Sequence, residues 1–198
     1  MWVLVACEFS GRVRDAFIRA GHAAWSCDLL PSETDGPHFQ CDVREIVNDR
    51  EAGYCWDLLI AHPPCTALTV AGNRWYHDKP DLIKEAFDFV LLLANAKIKH
   101  ICIENPVGRL SSLWRKPDQY IQPWQFGHPE SKKTGLWLKD LPLLKPTNVL
   151  ARPESGRWEN QTPSGQNNLG PSKDRWKDRS RTYQGIADAM ASQWSVLQ

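Results

Sequence analysis

The sequence predicts an α/β fold built on a mostly parallel sheet with helices on both faces. Strand-length apolar runs alternate with segments of helical period through the first half of the chain, and that alternation is the mark of strands joined by helical crossovers. The strand runs are also nearly continuous in apolar residues, as expected of strands covered on both sides. With 198 residues, there is enough chain for one domain with a sizeable core and too little for two full ones, so residues 1 to 198 are read as a single domain.

The elements follow in order. "WVLVACEF" (2 to 9) reads as a buried strand, and "GRVRDAFIRAG" (11 to 21) as a helix with Val13, Phe17 and Ala20 on its inner face, closed by Gly21. "HAAWSCD" (22 to 28), "HFQCDV" (38 to 43) and "WDLLIA" (56 to 61) supply three more strands. A long helix over "PDLIKEAFDFVLLLANAKI" (80 to 98) carries a stripe of Leu82, Ala86, Phe89, Val90 and Leu93, and leads to a fifth strand, "HICIENP" (100 to 106). Beyond Val107 the texture changes: "YIQPWQFGHPESKKTGLWLKDLP" reads as a loop followed by a short strand, "TGLWL". Residues 151 to 178, rich in Pro, Gly, Asn and charge, read as an extended loop or small insert. "TYQGIADAMASQW" closes the chain as a helix that buries Ile186, Met190 and Trp194.

Bulk properties narrow the function classes. The net charge of +1 gives no global signal for nucleic acid, so any basic surface is local. Six cysteines lie at 7, 27, 41, 55, 65 and 102 without a Cys-x-x-Cys pair, which disfavours a zinc ribbon or finger, and no metal is expected. The chain enters a strand at once, and its apolar runs are short, so no signal peptide, no membrane span and a cytoplasmic location with reduced thiols are expected. Ten tryptophans, five of them at 114, 124, 137, 158 and 176, make either a stacking surface or a Trp-rich core.

Chemistry is concentrated at the ends of the strands, where open α/β sheets bind ligands. The run Leu58 to Ala61 ends on Pro63 and Pro64, which cannot continue a ladder, so Cys65 sits in a stiff loop just past a strand. A lone cysteine is commonly a small buried hydrophobe. Glu104, in "ENP" at the end of the fifth strand, can face the same cleft or simply accept backbone N–H groups in a turn. A thiol and a carboxylate together suit covalent catalysis on an electron-poor ring: the thiolate attacks, and the acid protonates the ring as negative charge develops. The first turn, "CEFSGR", offers Cys7, Glu8, Phe9, Ser10 and Gly11 to a nucleotide-like cofactor, with Asp28 and Asp42 as carboxylates on later strand ends. One glycine makes no dinucleotide fingerprint.

The ordered set "ACEFSG", "SCD", "CDV", "HPPC", "IENP", "FGHPESKKTGLWL" and "GIADAMASQW" resembles the cytosine-carbon-5 DNA methyltransferase family, in particular small phage-type members, over roughly residues 3 to 149 and 180 to 194. The resemblance implies a Rossmann-like S-adenosylmethionine-dependent methyltransferase fold. It further implies that Cys65 adds to carbon 6 of cytosine, that Glu104 holds ring nitrogen 3 and the exocyclic amine, and that carbon 5 takes a methyl group from S-adenosylmethionine. Asp28 is then expected on the cofactor ribose, Asp42 on the adenine amine, the turn of residues 7 to 11 on the methionine part, and Pro63, Gly185 and Ile186 along the cofactor pocket. The family flips its target base out of the duplex.

Two departures stand out. Where the family carries arginines after the fifth strand, this chain has Lys132 and Lys133, point charges without the guanidinium fork. The target-recognition region is reduced to about residues 151 to 178; over 152 to 181 the basic residues, Arg175 and Lys177 among them, exceed the acidic ones by three, with Trp158 and Trp176 interleaved. That composition fits a minimal DNA-facing insert and equally a solvated loop. DNA is the expected partner, with a monomer slightly favoured and any partner subunit left open. Modification of a free pyrimidine nucleotide or RNA, use of another one-carbon donor, and a non-catalytic DNA-binding protein remain the alternatives.

Overall fold

The computed structural model describes residues 1–48, 55–70, 76–165 and 167–196. Seven strands form one sheet: β1 (Trp2–Ala6), β2 (Ala23–Asp28), β3 (His38–Gln40), β4 (Leu58–Ala61), β5 (His100–Pro106), β6 (Gln119–Ile121) and β7 (Thr134–Lys139), in the order β3-β2-β1-β4-β5-β7-β6. The first five run parallel, and β7 and β6 join antiparallel at one edge. Strand order reverses between β1 and β4, the switch point at which such sheets open a crevice. Among the described residues the α-helices are α1 (Arg12–Arg19), α2 (Pro80–Ala94), α3 (Leu110–Leu113), α4 (Arg175–Ser180) and α5 (Gln184–Trp194).

Alternation along each strand divides the core in two. Val3, Val5, Leu58, Ile60 and Cys102 pack under α1 and α5, against Val13, Phe17, Ile186, Met190 and Trp194. Leu4, Ala6, Leu59, Ala61, Ile101 and Ile103 face the other way, toward Val90 and Leu93 of α2. Helices therefore cover both faces, as the sequence predicts.

Several boundaries differ from the sequence-based expectation. β1 stops at Ala6 because Cys7 turns into the left-handed region, φ 58, and Gly11 follows at φ 70. On α1, the fully buried Arg14 takes the inner face beside Val13 and Phe17, whereas Ala20 is exposed. The stripe of α2 keeps Ala86, Phe89, Val90 and Leu93 against the core, but Leu82 is exposed, and Ile83 and Phe87 pack in its place. β6 lies where a loop was expected, and α4 rises from the end of the 151 to 178 stretch. Trp137 and Trp158 are buried, with Trp114 and Trp124 stacked on them, so the late tryptophans serve the core; of the five, Trp176 alone is exposed.

Candidate active site

The parallel register sets the centre of the site. Ala61 pairs with Ile103, so the next residues, His62 and Glu104, lie side by side at the carboxyl ends of neighbouring strands. His62 Nδ1 and Glu104 Oε2 form a short hydrogen-bonded ion pair, with the two side chains only 10% and 14% exposed. Burial pushes the His62 imidazole down, but the Glu104 hydrogen bond and the charges of Glu104 and Glu8 more than offset it, and the imidazolium is favoured. Burial likewise pushes Glu104 up, and His62 together with Lys132 holds it below the usual carboxylate range. Asn105 is buried and donates to the Pro63 carbonyl at 3.3 Å, tying the end of β5 to the double-proline loop.

That loop carries Cys65 into the same neighbourhood. The Cys65 carbonyl accepts from the backbone N–H groups of Leu68 and Thr69, both at 2.9 Å, so the residue opens a single tight turn. Cys27 and Cys102 are wholly buried in the core, whereas Cys65 is partly open to solvent. Burial pushes its thiol up, Lys132 pulls it down, Glu104 pushes it up and Arg179 pulls it down, with a net rise. The charges of Glu104 and Lys132 thus both reach the thiol. Cys65, Glu104, His62 and Lys132 form one cluster.

The first turn lies beside it. Glu8 is buried and accepts from the N–H groups of Val13 (2.7 Å) and Arg14 (3.2 Å) and from the Ser10 hydroxyl, and so caps the first turn of α1, while burial pushes its carboxyl up. Asp28 ends β2 half-buried, with one oxygen accepting from Leu30 N and its carboxyl pushed up by burial. Asp42 caps a short 3₁₀ turn and pairs with Arg44. Burial, Asp28 and Asp42 push the Cys7 thiol up to about 12, so both carboxylates bear on the outer end of the turn while the thiol stays protonated.

A strap formed by α4 and residues 181 to 182 crosses this turn. Trp176 meets the Phe9 ring at 6.0 Å, Arg181 grips Glu33 through two nitrogens at 2.6 and 2.7 Å, and Arg12 donates to the Thr182 carbonyl. The cavity lined by Cys7, Glu8, Phe9, Ser10, His62 and Ser180 to Thr182 measures about 10 Å³, room for one water. A larger ligand in that cleft requires the strap to move.

The other sequence candidates are placed as follows. Lys132 donates to the Arg179 carbonyl at 2.8 Å and lies over Tyr183, while Lys133 lies over Tyr120 at 4.4 Å, so the two lysines join different surroundings. Arg175 bonds the Leu169 carbonyl, and Lys177 lies over its neighbour Trp176. Gly185 donates its N–H to His128, and a Cβ there would meet the Phe126 carbonyl at 2.0 Å; Ile186 is core. Both hold α5 in place by packing.

No family model matches the chain, and no curated protein does. Among solved structures, a prophage-encoded protein of E. coli assigned as a DNA modification methyltransferase is similar at 15% identity and TM-score 0.49, covering 76% of this chain and 52% of that one. The S. pombe Dnmt2 methyltransferase aligns at 17% identity and TM-score 0.48, over 70% and 48% of the two chains. The Entamoeba histolytica methyltransferase EhMeth aligns at 13% and 0.48, over 76% and 57%. The chain spans about half the length of these structures. Its own sheet, parallel from β3 to β5 with antiparallel β7 and β6 at one edge, is the Rossmann-like architecture of the methyltransferase fold that the sequence resemblance implies.

Sequence reasoning missed His62, although it stands directly before the two prolines at a strand end. It also missed the strap contacts of Arg179 with Lys132 and of Arg181 with Glu33, which join residues 47 and 148 positions apart and leave no local pattern.

Proposed function

We propose that this chain transfers a methyl group from S-adenosylmethionine to carbon 5 of cytosine in DNA, through a covalent Cys65 adduct and with short or weak sequence preference. The observation that carries the reading is the convergence of Cys65 and Glu104 from neighbouring strand ends, within reach of each other's charge and beside the first turn. The thiol gives its proton to water and the thiolate bonds to carbon 6; Glu104 hydrogen-bonds the ring edge and takes part in protonating nitrogen 3. Lys132, the nearby cation, stabilises the thiolate before attack.

The residues suit the cofactor. Asp28 offers carboxylate oxygens to ribose hydroxyls at the end of β2, Asp42 stands at the end of the adjacent strand, and the turn of residues 7 to 11, with its left-handed Cys7 and Gly11, brings backbone close to the methionine part. Pro63, whose carbonyl is held by Asn105, stiffens the loop that leads to Cys65. When bound, S-adenosylmethionine supplies an electrophilic methyl group to the carbon activated by the adduct. Asp28→Asn, which keeps the Leu30 bond and removes the charge, is expected to weaken S-adenosylhomocysteine binding about 10- to 100-fold by calorimetry, the loss of charge-assisted hydrogen bonds; an unchanged affinity removes Asp28 from the cofactor site.

The deciding experiment incubates the protein and S-adenosylmethionine with duplex DNA carrying 5-fluorocytosine, whose fluorine blocks the final elimination. A denaturation-resistant adduct is expected. If none forms with duplexes or single strands of varied sequence, the DNA reading fails, and the same assay with a 5-fluoropyrimidine nucleotide then tests the free-nucleotide alternative.

A further inference from the structure

We propose that His62 is a positioning residue for Glu104, fixing its carboxylate and supplying the proton that Glu104 passes to ring nitrogen 3 when Cys65 attacks. The inference rests on the reading of Cys65 as a nucleophile toward a pyrimidine.

Three observations lead to it. His62 and Glu104 are held opposite each other by the β4–β5 register, and Oε2 is committed to Nδ1. The pair is about nine-tenths buried, yet His62 Nε2 has no hydrogen-bond partner among the described residues and lies in a wall of the cleft formed by the first turn and the strap. A buried pair kept only for anchoring gains nothing from a second N–H left unsatisfied, since an unpaired buried donor is costly. The atom is closed to solvent, but its residue lines the small cleft beneath the strap, so movement of the strap would bring water or a ligand to it. The third observation is the charge around it. Glu8 from the turn after β1, Asp28 from β2 and Glu104 from β5 face the imidazole on the negative side, Lys132 from the segment before β7 and Arg181 from the strap on the positive, with the Cys7 and Cys65 thiols alongside.

The chemistry needs such a donor. Held as an anion by its neighbour, Glu104 has no proton of its own to give at neutral pH. In the proposed step the S–C6 bond forms and the ring π electrons move toward nitrogen 3; Nδ1 gives its proton to Oε2, and Glu104 passes that proton to nitrogen 3 and returns to its anionic form. Neutral imidazole is left with its hydrogen on Nε2. On elimination carbon 5 loses its proton to water, the S–C6 bond breaks, and the nitrogen 3 proton returns through Glu104 to Nδ1, so the pair ends as it began.

The test follows adduct formation with 5-fluorocytosine duplex across pH in wild type, H62Q, E104Q and the double variant. Glutamine keeps a donor for Glu104 and carries no titrating proton. In the wild type the rate rises as Cys65 ionises and levels off where His62 starts to lose its proton. H62Q is expected to be slower by about 10²- to 10³-fold and to level off at lower pH, in the carboxylate range; the double variant should be no slower than E104Q, because the two residues act as one unit. An H62Q rate within threefold of wild type with the same pH profile overturns the proposal while leaving the cytosine reading intact. No adduct in the wild type overturns both. If H62Q fails to fold, ring-nitrogen NMR of the wild type decides: an imidazolium persisting above the ordinary histidine range supports the assignment, and a neutral ring at pH 6 overturns it.

Discussion

Cys65→Ala is expected to abolish adduct formation and methyl transfer, a loss on the order of 10⁴-fold or more, while the folded protein survives with its unfolding temperature changed by only a few degrees. The asymmetry follows from where the six cysteines sit. Cys65 lies on a loop outside both core clusters, held by main-chain bonds that alanine keeps. Cys102 is fully buried between β5 and the α1/α5 layer, and Cys27 is fully buried on the other face. Alanine at Cys102 or Cys27 should therefore give the opposite result, a loss of about 1 kcal/mol or more of stability with adduct formation retained. The comparison separates a nucleophile from a small hydrophobe. It is read by thermal unfolding together with gel mobility of the adduct, and product formation by Cys65→Ala at near wild-type rate would exclude covalent catalysis by this residue.

The thiol alone is a poor nucleophile here, because burial favours its protonated form. Attack therefore depends on what surrounds it. Lys132 and Arg179 favour the thiolate, Glu104 opposes it, and the proton that the His62 and Glu104 pair passes to ring nitrogen 3 neutralises the negative charge that the thiolate brings to the ring as the bond forms. Nucleophile and acid are coupled through electrostatics as well as through the substrate ring.

How much of this is legible in the sequence depends on the distance over which each feature is encoded. β1, β4, β5 and α5 are visible because a continuous apolar run or a 3.6-residue stripe is a local signal, and Cys65 and Glu104 are visible because each ends such a run. The end of β1 is less so: Cys7 and Glu8 continue the look of a strand, and only the left-handed turn, stabilised by the Glu8 cap on α1, breaks it. The α2 stripe illustrates a different limit. With Ile83, Phe87, Phe89, Leu91 and Leu92 all apolar, several faces of the helix are plausible, and packing on the sheet selects one. β6 is three residues long and exists because β7 offers it an edge. The strap is least legible of all, since its contacts with Phe9 and Glu33 are tertiary and its composition is that of a solvated loop.

Arg14 is the case in which the local signal points the wrong way, and its replacement is expected to have the largest effect on stability. An arginine on a helix is ordinarily a surface residue. Here the guanidinium is fully buried, and its nitrogens all donate: Nε to Asp15 at 2.8 Å, one terminal nitrogen to the Ser26 and Ser32 hydroxyls, the other to Thr34 Oγ1 and the Thr34 and Asp35 carbonyls. Gly11 and Gly36 permit the approach, for a Cβ on either would come within 3 Å of the guanidinium. The group thereby pins residues 32 to 36 against α1, and Glu33, within that loop, bonds the Phe9 carbonyl through its N–H and holds Arg181 of the strap through its carboxylate. Arg14→Met removes the donors, leaves the buried Ser26 hydroxyl without one and frees the more exposed Asp15, Ser32, Thr34 and Asp35 acceptors to water, with an expected cost of about 2–3 kcal/mol, or roughly 5–10 °C in unfolding temperature for a chain of this size. Because the loop also anchors the strap, hydrogen exchange in α4 should rise and the cleft beside Phe9 should lose its cover even where the sheet remains folded. A midpoint within 2 °C of wild type would mean that the buried guanidinium does not hold the loop; a lowered midpoint with unchanged exchange in α4 would confine its role to α1 and uncouple the strap from it.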